Sequence, residues 1–363
     1  MARIDAFLKL GLAQGCSDIH LAVGLPPMLR LRGDLMPIKF RDLSGTELEG
    51  YVLEILTETQ EDRFSNGHDL DFAYVAEDGG RFRVNLFRKD TGVGAVFRYI
   101  PEEVPTLESL GLPDIVREMC DYNQGMVLVT GATGTGKSTT LAAMLDHINR
   151  QRQQNIISLE DPIEFVHESK KSQIVQREYN THFGSFADAV RAAMRQDPDV
   201  VLVGEMRDTE TIRMAMTAAE TGHLVLGTLH TTSAVKTLDR IIDALPALER
   251  GQAKSFLAQS LNGVITQVLV RTADGRARRA VFEIMTRTKA ISKLIMSDQV
   301  HLIPSQLQTG KEAGMQNMDQ ALLDAINAKE IDPDDAYRFA IEKKKFVGHV
   351  TDTNLLPKLE IDE

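Results

Sequence analysis

Residues 131–138 read Gly131-Ala132-Thr133-Gly134-Thr135-Gly136-Lys137-Ser138, a complete G-x-x-x-x-G-K-[ST] phosphate loop. Glycines let backbone N–H groups approach phosphate oxygens, and a helix N-terminus behind the loop adds partial positive charge. Lys137 is spaced to reach the β- and γ-phosphates and Ser138 to ligate Mg²⁺, with Thr139 closing the cradle. Three further clusters carry chemistry. Glu160-Asp161-Pro162-Ile163-Glu164 offers three carboxylates, a group that can hold Mg²⁺ through water and orient or deprotonate an attacking water. The run 200–203, Val-Val-Leu-Val, ends in Gly204-Glu205-Met206-Arg207-Asp208 and follows the logic of a Walker B strand, with Glu205 as the strand-end acid. Gly227-Thr228-Leu229-His230-Thr231 places His230 where it can sense a γ-phosphate. Phosphoryl transfer also needs a guanidinium for the charge that develops on the γ-phosphate. The candidates are Arg83, Arg98, Arg195 and Arg207.

These residues need elements to position them. Apolar, β-branched runs at 126–130, 155–159, 200–203 and 224–229 predict buried parallel strands, and each cluster lies just past one of them. Helical spacing at 139–150, 185–194 and 209–221 supplies crossovers between them. Ligands of such sheets bind along the carboxyl edge of the strands. The first hundred residues differ: a helix over 4–14, then strand-like pieces at 18–22, 28–32, 81–86 and 93–100 with Pro-Pro and Gly-Asp turns, an α+β unit. A proline-punctuated stretch, 101–113, reads as a linker or hinge. The sheet domain spans 114–285, and 286–363 is mostly helical, with helices at 289–297, 318–329 and 333–343. The run Lys343-Lys344-Lys345 reads as a solvated helix end.

Composition narrows the class. A chain of 363 residues with 43% hydrophobic content supports two domains. The formal net charge of −11 argues against a broad electrostatic grip on nucleic acid, and hence against a nucleic-acid translocase. Cys16 and Cys120 form no C-x-x-C pair and fit a reducing cytoplasm. No apolar run approaches the ~18 residues of a membrane span, so any membrane association runs through a partner.

With these clusters in order, the chain resembles the type II/type IV secretion ATPase superfamily and, within it, the type IV pilus retraction ATPases. Walker A is 131–138, the Asp box 160–164, the atypical Walker B 204–208 and the His box 227–231. Ser17-Asp18-Ile19-His20-Leu21, Arg81-Phe82-Arg83-Val84-Asn85, Ile303-Pro304-Ser305 and Gly314-Met315-Gln316-Asn317-Met318-Asp319-Gln320 also match. The resemblance covers essentially the whole chain. It implies a PAS-like N-terminal domain, a RecA-like P-loop ATPase core and a helical C-terminal tail. It further implies a homohexameric ring that hydrolyses ATP with Mg²⁺ on the cytoplasmic face of the inner membrane. Its partners would be an inner-membrane pilus platform protein and a paralogous pilus ATPase. Arg83 and Arg98 match the first-domain arginines that reach the γ-phosphate. Glu205 matches the Walker B glutamate and Glu164 the Asp-box general base. Extension ATPases usually carry a tetracysteine zinc site and a longer N-terminal region, which favours the retraction branch here. One motif departs: the retraction family's Ala-Ile-Arg-Asn-Leu-Ile stands here as Ala290-Ile291-Ser292-Lys293-Leu294-Ile295. An accessory retraction paralogue, or a nucleotide-gated assembly or regulatory protein of a pilus or type II secretion system, is the alternative.

Overall fold

The computed structural model describes residues 2–31, 33–77, 80–101 and 103–356. Met1, Arg32, Glu102 and residues 357–363, which the strand, linker and tail expectations included, lie outside the described residues. The chain divides into two compact units, 1–104 with 162–166, and 105–161 with 167–363.

The first unit runs α1 (Asp5–Ala13), β1 (Asp18–Ala22), β2 (Met28–Leu31), β3 (Asp34–Pro37), α2 (Gly45–Leu53), α3 (Glu58–Ser65), β4 (Leu70–Val75), β5 (Arg81–Lys89) and β6 (Gly92–Ile100). Its six strands pair antiparallel in the order β3-β2-β1-β6-β5-β4. Period-two alternation builds its core: Phe82, Val84 and Leu86 of β5 are buried with Phe97, Ile19, Leu21, Leu8 and Phe64. The opposite face carries charge. Arg83 sits directly across from Arg98, and Arg98 directly across from Asp18.

The second unit opens with α4 (Asp114–Cys120), β7 (Gly125–Thr130), α5 (Lys137–Gln151), β8 (Asn155–Glu160) and β9 (Gln173–Glu178). It continues through α6 (Phe186–Ala193), β10 (Val200–Val203), α7 (Thr209–Glu220), β11 (Leu224–Leu229), α8 (Ala234–Ala244), α9 (Arg250–Ser260), β12 (Leu261–Arg271) and β13 (Arg278–Thr286). The tail adds α10 (Lys289–Met296), α11 (Ile303–Thr309), α12 (Met318–Asn327) and α13 (Pro333–Phe339). The sheet order is β13-β12-β7-β11-β10-β8-β9, parallel throughout except for the antiparallel β12–β13 pair. Every residue of β7, β10 and β11 is buried, as expected for strands with helices on both faces. Register aligns the strand ends: Thr130 faces Leu229, and Val203 faces both Gly227 and Leu159. The residues just past these ends therefore gather on one edge.

Two tail readings change. The helix expected over 333–343 stops at Phe339, and 343–345 form a separate 3₁₀ turn. The Lys343 ammonium folds back onto the carbonyls of Tyr337 and Arg338, which satisfies the open end of α13. Lys345 pairs with Glu342. Ser292, in the departed motif, is half-buried, and its Oγ donates to the carbonyl of Ala258 in α9. Among the described residues no helix is long and apolar enough to cross a membrane.

Candidate active site

Gly131 follows β7 at φ 143°, and a Cβ there would lie 2.5 Å from the Gln267 carbonyl oxygen. The loop leaves Ala132, Thr133 and Gly134 exposed and returns through buried Thr135 to Gly136, the N-cap of α5 at φ 87°. Only glycine adopts that conformation without strain. Ser138 and Thr139 are half-buried in the first turn of α5. Lys137 is buried, and its Nζ donates to the carbonyls of Gly131 at 2.9 Å and Ala132 at 3.0 Å. It also lies 3.5 Å from His230 Nδ1.

His230 follows β11 and turns its other nitrogen, Nε2, to Glu205 Oε1 at 2.8 Å. Glu205 follows β10 after Gly204, where a Cβ would meet the Leu159 carbonyl at 2.8 Å. The backbones of two strands thus close up under the acid. Arg207 grips Glu205 as a fork, Nε to Oε1 at 2.5 Å and Nη2 to Oε2 at 2.6 Å. Burial alone would push the Glu205 carboxyl up, but Arg207 and His230 together hold it below the usual carboxylate range. Asp208 caps α7, accepting from Thr211 N at 2.8 Å and Thr211 Oγ1 at 2.7 Å. The structure therefore joins Lys137, His230, Glu205 and Arg207 in one hydrogen-bonded line across three strand ends.

The Asp box divides. In the second unit, Glu160 Oε1 accepts from Ser158 Oγ at 2.7 Å and Gln176 Nε2 at 3.1 Å. Asp161 lines a cavity of about 300 Å³ with Glu205, Arg207, Tyr179 and Phe186. Glu164 falls in the first unit, where its Oε1 lies 3.8 Å from Arg83 Nη1. Arg83 also forks onto Asp71 at 2.6 and 3.1 Å. Arg98 Nε donates to buried Asp18 at 2.8 Å. Burial works to raise the Asp18 carboxyl, yet Arg98 and Ser17 bring it below its ordinary value. Among the described residues Arg195 makes a backbone turn contact to Ala192 at the end of α6, and Arg207 is engaged with the strand-end acid.

Sequence reasoning missed the support from β12. Gln267 and Thr266 are buried there, and Thr266 Oγ1 lies 2.8 Å from Thr130 Oγ1 at the foot of the phosphate loop. Polar letters inside an otherwise apolar run were the one available signal.

Comparison with known proteins places this geometry. A family model described as "Type II/IV secretion system protein" matches residues 4–331. The chain is 48% identical over 319 residues to the type IV pilus retraction ATPase PilT of Pseudomonas aeruginosa, covering 88% of this chain and 92% of that protein. It is 40% identical over 336 residues to the type IV pilus ATPase PilU of the same organism, covering 93% and 88%. A crystal structure of the pilus retraction motor PilT with bound ADP matches at a TM-score of 0.88 and 39% identity, over 95% of this chain and 99% of that one. With the family model spanning both units and relatives this similar along most of its length, the chain belongs to the type II/IV secretion system protein family.

Proposed function

We propose that this protein is an ATP-hydrolysing motor that powers type IV pilus retraction. The observation that carries the reading is the Lys137–His230–Glu205 line, which ties the phosphate-binding lysine to the strand-end acid through one histidine. A protein that only bound nucleotide would not need a carboxylate held ionised at that point.

The residues divide the work as follows. Backbone N–H groups of 132–138 and the start of α5 bind the phosphates, and Lys137 exchanges its loop carbonyls for phosphate oxygens. Glu205 positions the attacking water once Arg207 releases its grip, and Glu164 accepts the proton. His230 reports the state of the γ-phosphate to Glu205. Arg83 and Arg98 stabilise charge on the transferring group within a homohexameric ring.

The donor set suits Mg²⁺. Ser138, Glu160 and Asp161 present hard oxygens, and no group of three or more His, Cys, Asp or Glu side chains that could hold a metal occurs among the described residues. An ion held by few protein ligands, with phosphate and water completing the shell, is the usual magnesium arrangement. When bound it supplies charge neutralisation at the phosphates.

Retraction is favoured over an accessory role by identity, 48% to the retraction ATPase against 40% to PilU. The proposed setting is the cytoplasmic face of the inner membrane, against a pilus platform protein, with a paralogous ATPase as a second partner. A deletion strain tests the direction. Lost twitching with pili retained or increased supports retraction, and loss of surface pili reverses it. ATP turnover measured beside native mass tests the motor. Full activity from a monomer removes the ring.

A further inference from the structure

β12 carries no nucleotide-binding motif, yet one of its side chains holds the phosphate loop from beneath. Gln267 is 1% exposed. Its Nε2 donates to the Thr135 carbonyl at 2.5 Å, inside the loop. Its Oε1 accepts from Thr140 Oγ1 at 2.9 Å, in the first turn of α5. Its own carbonyl oxygen lies 2.5 Å from where a Cβ on Gly131 would be, and its Nε2 would lie 3.3 Å from a Cβ on Gly136. One residue thus touches the start, the middle and the end of the loop.

A buried amide satisfied at both ends specifies geometry strongly. Any loop conformation that moves Thr135 leaves the Gln267 N–H₂ and the Thr135 carbonyl without partners in a dry site. The first turn of α5 is tied to the same side chain, so loop and helix N-terminus are fixed relative to each other. Lys137 lies between the two anchored points, bonded to Gly131 and Ala132.

We propose that Gln267 is a positioning residue for the nucleotide, clamping the phosphate loop open in its anion-binding shape through Thr135 and Thr140. The inference rests on the ATPase reading above. Its action is on binding, because the loop meets the phosphates in ground state and transition state alike. Loss of the clamp therefore raises KM and the dissociation constant for ADP while leaving kcat at saturation nearly unchanged.

The test uses the full chain with Gln267→Met, close in volume but without either polar atom, and Gln267→Glu, which sets a carboxylate against the Thr135 carbonyl. ADP binding by calorimetry, steady-state ATP turnover and the unfolding temperature are measured on each, beside Lys137→Ala. The expected result is ADP affinity weakened about tenfold in Gln267→Met, which loses the hydrogen bonds to both Thr135 and Thr140, with kcat within about threefold of wild type. Gln267→Glu weakens it further. Wild-type ADP affinity in a folded Gln267→Met overturns the proposal, and so does a fall in kcat with KM unchanged. A lowered unfolding temperature in which kcat and affinity fall together identifies a merely structural role and also overturns it. If Lys137→Ala binds and hydrolyses as wild type does, the ATPase reading fails instead, independently of the Gln267 result.

Discussion

In the second unit, the side chains proposed for chemistry sit on turns that end buried parallel strands. In the first unit, Arg83 and Arg98 project from the middle of an antiparallel sheet. Glu205 is fixed because Gly204 lies tight against the backbone of β8 and because β10 has no exposed residue. Arg83 and Arg98 make ion pairs at their tips, with side chains 35% and 67% exposed. Two like charges directly opposite on neighbouring strands repel, and Asp71 and Asp18 relieve that repulsion. The Arg83–Asp71 pair, partly exposed on both sides, is worth about 1 kcal/mol, whereas Arg98 reaches from solvent onto a buried carboxylate. Arg83 is therefore cheap to re-pair, whereas moving Glu205 means distorting a packed sheet.

The comparison can be broken most sharply at Glu205. Glu205→Gln should lower ATP turnover about 10³-fold and keep ADP binding within a few-fold, read by steady-state kinetics and calorimetry. Turnover near wild type would remove the strand-end acid from the mechanism. Next, Arg83→Ala and Arg98→Ala should each lower turnover about 100-fold with modest loss of binding. Asp71→Asn, which weakens the fork on Arg83, should stay within about threefold. If Asp71→Asn is as damaging as Arg83→Ala, the ion pair is structural and the arginine is not exchangeable.

His167 sharpens the contrast through pH. Burial pushes its pKa down to about 4, so the neutral ring is the one folded into the second unit. Its folded pKa lies below its unfolded value of about 6.5. The stability it contributes is present above pH 6.5 and is lost as pH falls toward 4. That loss should reach about 2 kcal/mol at pH 5. Chemical denaturation at pH 7.5 and pH 5 should show the difference, and His167→Gln should reduce it. The smallest expected effect is at Ser292. Ser292→Ala removes one hydrogen bond to α9, about 1 kcal/mol, and should leave ATP turnover intact. A turnover defect there would mean that the α9–α10 contact reaches the nucleotide site.

The strands that position the site were legible because both of their faces are buried, so β7, β8, β10 and β11 appear as continuous apolar runs. β12 was not. Asn262, Thr266 and Gln267 interrupt its pattern, and each is satisfied by a tertiary hydrogen bond that no local spacing announces. β3 was hidden for the opposite reason, since all four of its residues are exposed. The short helices α2 and α3 rest on caps from Ser44 and Thr57 more than on periodicity. Among site residues, the motif positions were readable from type and spacing. The fork of Arg207 on Glu205 and the clamp of Gln267 on Thr135 depend on side chains meeting in three dimensions.

The five residues 162–166 belong by contact to the first unit although they are strung between two strands of the second. Neither unit is therefore a continuous stretch of chain. A fragment ending at 104 would lack the piece that brings Glu164 to Arg83. One starting at 105 would carry that piece with nothing to pack on. Anyone dissecting this protein into halves, or exchanging its first unit with that of a relative, has to move 162–166 as well. A chimera joined only near residue 104 would have a mosaic first unit, with 1–104 from one parent and 162–166 from the other.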